Sequence, residues 1–147
     1  MDKEFELKKY RDLVAATLDY YIVHLAFNNE MKDEYFCLKT QAEEHYSKGK
    51  LTILKSWFKD LTSDFIEDRY FGFNEYLIKT TNYEIDIFES YFKRIEKIIE
   101  KDQIKTDSQF YELKNYVDYL VQDNNSDKDL IQRINEILLR FESRKIE

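Results

Sequence analysis

The chain has no proline, two glycines (Gly49 and Gly72), one cysteine (Cys37) and two histidines (His24 and His45) among 147 residues. Each scarcity removes a class of structure. Without proline, and with glycines only in isolation, the turn chemistry of hairpin-rich and sandwich folds is missing. The same shortage excludes a phosphate-binding loop, a nucleophile elbow and a dinucleotide fingerprint, all of which are built on clustered glycine. One cysteine cannot form an intramolecular disulfide and fits a reducing compartment. The longest apolar stretch, 13–27, is cut by Thr17, Asp19 and His24 and falls short of the roughly 20 residues a membrane span needs. The opening MDKEFELKKYRD is mixed in charge and lacks the basic start and apolar core of a signal peptide. The expectation is a cytoplasmic protein with no membrane segment.

What is present is charge and aromatic surface. The net charge of −7 is spread evenly: 1–73 holds 11 basic and 14 acidic residues, and 74–147 holds 12 and 16. Neither half is basic, so binding to a nucleic-acid backbone is not expected. Lysines interrupt nearly every acidic run, which argues against a nucleic-acid mimic. The aromatic content of 16% accompanies abundant Lys, Ile and Asn, a composition that A/T-biased codons produce without selection for a binding surface.

The hydrophobic periodicity is helical throughout. At 147 residues the chain is long enough to bury about two-thirds of its unfolded surface as one domain, 1–147, with no disulfide or metal staple. The clearest signal is 81–101, where Ile85, Phe88, Phe92, Ile95 and Ile99, with Tyr91 and Ile98 beside them, make one broad stripe opposite Glu89, Lys93, Glu96, Lys97 and Glu100. Thr81 with Glu84 reads as a capping box that opens this helix, and Lys97 and Lys101 suit its C-terminal dipole. A rival reading takes Tyr83, Ile85 and Ile87, alternating with Glu84 and Asp86, as a short strand; the longer helical pattern outweighs it.

In chain order, a first helix is expected from Asp2 to about Phe27, apolar nearly all round over 20–27 and so contacted on more than one side. Asn28 and Asn29 mark a break or cap. A second helix covers 30–47, with Gly49 as its left-handed terminator. A third runs from Leu51 towards Phe71, kinked or ended by Gly72, and a short piece, 73–79, leads into the central helix. Thr106 with Gln109 is a second capping box, opening a helix striped with Phe110, Leu113, Val117, Leu120 and Val121. After the loop-like 122–127, a last helix from Asp127 to Lys145 aligns Leu130, Ile131, Ile134, Ile137, Leu138 and Phe141. The expected fold is an all-α bundle of five or six amphipathic helices, with the C-terminal three packed up-down-up.

Candidates for chemistry are few. Asp60, Asp64, Glu67 and Asp68 fall at offsets of zero, four, seven and eight, close enough on one helix to share a face. Like charges at that spacing repel, so a basic partner or a divalent cation would make the arrangement favourable. The bland alternative is that Thr62 or Ser63 caps a new helix whose first turns hold the acids. A catalytic metal site of the kind used by helical nucleotide pyrophosphatases needs a second acidic pair, and Glu43 with Glu44 lacks the spacing. Cys37, His24 and His45 show no short zinc-binding spacing, and the histidines lack the upstream arginine that helical RNA-cleaving domains use; Cys37 reads as a small core or half-buried residue and His24 as an interior or interface one. Tyr70, Phe71, Phe73 and Tyr76 cannot all face one way on a helix, so at least one should be semi-exposed.

No catalytic constellation assembles, and no cofactor is expected. The expected function is non-enzymatic binding of another protein with a basic surface: a small acidic inhibitor of the immunity-protein or antitoxin kind, or a helical subunit of a larger complex. Asp60, Asp64, Glu67 and Asp68 are the expected contacts, with Tyr70 and Phe71 as anchors. An apolar face left over after folding would allow a homodimer. The different-class alternative is a metal-dependent hydrolase whose ligands are the same four acids. Nucleic-acid binding comes third and rests only on Lys8, Lys9 and Arg11.

Overall fold

The computed structural model describes residues 2–122 and 127–146, so most of the loop expected at 122–127 lies outside the described residues. Among them every regular element is helical. Seven α-helices are present where five or six are expected: α1 (Lys3–Tyr20), α2 (Asn29–Ser47), α3 (Leu51–Glu67), α4 (Phe71–Thr81), α5 (Glu89–Lys101), α6 (Asp107–Gln122) and α7 (Lys128–Ile146). None of these is long and apolar enough to cross a membrane. The chain divides into two compact units, Met1–Phe88 and Glu89–Glu147.

In the first unit α1 is the hub, packing against α2, α3 and α4. Its Leu13, Val14, Ala16, Thr17 and Leu18 are buried, joined by Ala42, Leu54, Phe58, Phe65, Phe73 and Leu77. Burying each of the larger apolar side chains stabilises the unit by about 1.5–3 kcal/mol. The two buried hydroxyls satisfy themselves along their own helices: Thr17 donates to the Leu13 carbonyl and Thr62 to that of Phe58, each at 2.8 Å. Asp2 caps α1 by accepting from Glu4 N, and Asn28 caps α2 by accepting from Met31 N. Gly49, at φ +69, follows α2 as expected.

Three expectations about this unit need correction. The first helix stops at Tyr20 and gives way to a π-helical turn, Tyr21–Leu25, closed by Ala26 N donating to the Tyr21 carbonyl. Gly72 does not end a helix. The break falls before it, at Arg69 with φ +54, and Gly72 sits in the first turn of α4, which makes the expected short piece a helix of its own. The central helix is also shorter than its stripe. Thr81 is the last residue of α4, its hydroxyl donating to the Leu77 carbonyl at 2.7 Å, and Asn82 at φ +61 ends that helix. Residues 82–86 belong to no helix, with Tyr83, Ile85 and Ile87 half-buried against the core and Asn82, Glu84 and Asp86 exposed. The period-two alternation was therefore real, though no strand forms.

The Asn74 amide holds that segment. Its Nδ2 donates to the Ile85 carbonyl and its Oδ1 accepts from Ile87 N, both at 3.0 Å, while Tyr83 donates its hydroxyl to Asp12 at 2.7 Å. These tertiary partners satisfy backbone groups that a helix would otherwise have paired internally.

In the second unit α5 buries Tyr91, Ile95 and Ile98 and leaves Phe92 and Ile99 of the expected stripe half-buried, while α6 buries Phe110, Leu113 and Val117 and α7 buries Ile134, Ile137 and Leu138, as their stripes predict. Val121, expected in the α6 stripe, is 63% exposed, because the last turn rotates it off the core face. The Thr106–Gln109 box forms: Gln109 N donates to Thr106 Oγ1 at 3.2 Å, and Gln109 Oε1 accepts from Lys105 N at 2.9 Å. Asp127 caps α7 through Asp129 N and Leu130 N. Lys145 in the last turn of α7 pairs with Asp107 in the first turn of α6, so these two helices run antiparallel.

Candidate functional site

Asp60, Asp64 and Glu67 occupy the last two turns of α3, and Asp68 follows the helix directly. All four are exposed. The idea that Thr62 or Ser63 opens a new helix is wrong, since α3 continues to Glu67 and Ser63 donates back to the Asp60 carbonyl at 2.9 Å. The acids therefore sit at the negative end of a helix dipole, where they are disfavoured. Among the described residues none of the four has an ion-pair partner, whereas Glu6, Asp12, Asp19 and Glu43 of the same unit each do.

Beside this end lies an aromatic cluster centred on Tyr20. Its ring meets those of Phe65, Phe73 and Tyr76 at centroid distances of 5.6, 5.1 and 5.1 Å, and its hydroxyl donates to that of Tyr70 at 2.8 Å. Burial, then the hydrogen bond to Tyr70, pushes the Tyr20 phenol above its usual range. Next to it Tyr21 donates to the Leu61 carbonyl at 2.5 Å. Its phenol is pushed up to about 12, first by burial and then by the negative charge of Asp64, which ties the acidic end to the cluster.

Of the aromatic stretch flagged in the sequence, Tyr70 is 48% exposed, while Phe73 is fully buried and stacks on Phe65 at 3.9 Å. Phe71 is half-buried with its ring 4.6 Å from that of Phe88, and Tyr76 donates to the Ala16 carbonyl. The stretch is thus mostly a packed corner that leaves one phenol at the surface. Arg69, at the same corner, has a buried Nε with no hydrogen-bond partner.

The soft ligands do not gather. Cys37 is exposed, against the expectation of a core or half-buried position, because it falls on the outer face of α2. His24 is exposed too, its ring tilted against that of Tyr20 at 4.5 Å; it is not an interior residue, since the π turn carries it outward. His45 packs against Trp57 at 5.2 Å. Among the described residues no group of three or more His, Cys, Asp or Glu side chains is placed to hold a metal ion.

The sequence reading missed the surface made by the π turn. Val23 and Phe27 are 72% and 92% exposed, although a segment apolar on all sides was expected to be covered. The only signal was that all-round apolarity, which does not distinguish a core contact from an open one. Comparison with protein-family models, with curated proteins and with solved structures finds no match.

Proposed function

We propose that the protein acts by binding another protein with a basic surface, as a small acidic inhibitor of the immunity-protein or antitoxin kind or as a subunit of a larger complex. One observation carries this reading: four exposed, unpaired carboxylates are gathered at the negative end of α3 beside the exposed Tyr70 phenol. Their repulsion in the free protein is relieved when cations arrive, so part of the binding free energy is electrostatic. Asp60, Asp64, Glu67 and Asp68 supply the charge, and Tyr70, exposed, and Phe71, half-buried, are the anchors. In this reading the two units work as one cytoplasmic domain, with α5, α6 and α7 arranged up-down-up.

The test is affinity capture of the tagged protein from its native lysate, with nuclease present, comparing the parent with an Asp64→Lys/Asp68→Lys variant. The expected result is one stoichiometric basic protein, lost at high salt and retained at least tenfold less by the variant. A partner held equally by both, with the same salt dependence, overturns the placement.

A further inference from the structure

The acidic surface is one half of the molecule's electrostatics. The second unit contains a cavity of the opposite sign, on different residues and independent of the reading above. Arg94, Lys97 and Lys101 lie on α5 at offsets of zero, three and seven, so they share a face. Together with Lys105 from the connection and Glu112 from α6, they line a half-open cavity of about 140 Å³ against the buried Ile98. Four cations there face one carboxylate, in a chain whose net charge is −7.

The acids that would neutralise this cavity are held elsewhere. Asp102, which ends α5 at φ +56, pairs with Arg140 at 2.8 Å, and its carboxyl is held below its usual range by that hydrogen bond. Asp107 pairs with Lys145. The two carboxylates that flank the connection, Asp102 and Asp107, are thus committed to α7, while Glu96 and Glu100 of α5 line a different depression, with Phe92 and Tyr116. Lys97, Lys101 and Lys105 have no ion-pair partner among the described residues. Arg94 does have one: Glu112 Oε1 accepts from its Nη2 at 2.9 Å and from its Nε at 3.0 Å, which fixes the guanidinium at the rim. The Thr106–Gln109 box in turn fixes the connection that presents Lys105.

A favourable dipole explains Lys97 and Lys101 at the end of α5. It does not explain why Arg94 and Lys105 converge with them on one concave site. We propose that this cavity binds a compact small-molecule anion carrying two phosphoryl groups. A single phosphate monoester carries about −1.5 to −2 and would leave the cluster positive; two phosphoryl groups balance three excess charges. A nucleic-acid backbone needs an extended basic stripe, whereas these four cations line one compact cavity in a unit with 11 basic and 13 acidic residues.

Calorimetric titration of the full chain with inorganic pyrophosphate, at ionic strength matched with chloride, tests this. Saturable one-to-one binding that weakens with added salt is expected, with orthophosphate at least tenfold weaker. A Lys101→Gln/Lys105→Gln variant, whose exposed positions leave the core intact, should lose at least tenfold in affinity while keeping its helical circular dichroism. Lys93→Gln, on the same helix but paired with Glu89 outside the cavity, should bind as the parent does. No saturable binding at low salt overturns the proposal, as does equal weakening by Lys93→Gln, an unchanged double variant, or a short single-stranded oligonucleotide that binds the cavity more tightly than pyrophosphate.

Discussion

The two units are both helical, yet they reach that state by different means. The first carries 12 basic and 17 acidic residues and is fastened by tyrosine hydroxyls and a side-chain amide reaching across many residues: Tyr21 to Leu61, Tyr76 to Ala16, Tyr83 to Asp12, Asn74 to Ile85 and Ile87. The second is nearer neutrality. Its core is mainly aliphatic stripes, and Arg94, Arg140 and Lys145 clip the helices together at the surface. Where long-range polar contacts fasten the chain, local pattern is a poor guide to helix ends; where stripes alone pack, it is a good one. Sequence periodicity measures what a segment can bury, not which partner will cover it.

Three experiments sharpen or break this contrast. The largest effect is expected in alkali. Tyr21 and Tyr83 are pushed up to about 12, in both cases first by burial, followed by the charge of Asp64 for Tyr21 and the hydrogen bond to Asp12 for Tyr83. A phenol whose folded pKa lies above its unfolded value near 10 favours the neutral form in the fold. Its contribution is complete below pH 10 and is lost as pH rises through about 12. Hydrogen exchange across that window, corrected for intrinsic rates, should show protection falling in α1 and α3 before it falls in α6 and α7. Simultaneous loss in both units would erase the distinction.

A smaller effect is expected from Asn74→Ala, which removes both hydrogen bonds to residues 85 and 87. Destabilisation of about 1–3 kcal/mol in denaturant melts is expected, with the backbone amide of Ile87 losing protection. A change within error would mean that burial of Tyr83, Ile85 and Ile87 alone holds the segment in place. The smallest effect is Gly72→Ala. A Cβ there meets nothing nearer than the Tyr70 ring at 3.7 Å, and the helix propensity of alanine should stabilise the protein by about 0.5–1 kcal/mol. Destabilisation would restore Gly72 as a required break.

Much of the fold was legible. The caps at Asn28 and Thr106 and the stripes of α6 and α7 needed only neighbours within a few residues, and these the sequence displays. The start of α5 was not legible, because Thr81 bonds backward to Leu77 and the competing partner, Asn74, belongs to a different helix from the stripe it interrupts. The acidic group was found by its spacing, but its position at a helix C-terminus depended on Thr62 being buried within α3. The basic cavity went unseen because Lys97 and Lys101 have an ordinary reading as dipole partners, and only the pairing of Asp102 and Asp107 with α7 leaves them unmatched.

The Asn74 contact has one more implication. Accepting from the backbone nitrogen of Ile87 and donating to the carbonyl of Ile85 is what the main chain of a parallel neighbour does when it lies opposite residue 86. A single carboxamide thus serves as a β-partner one residue long. A helix keeps a non-helical stretch of backbone in place by lending it one side chain where a sheet would supply a second strand.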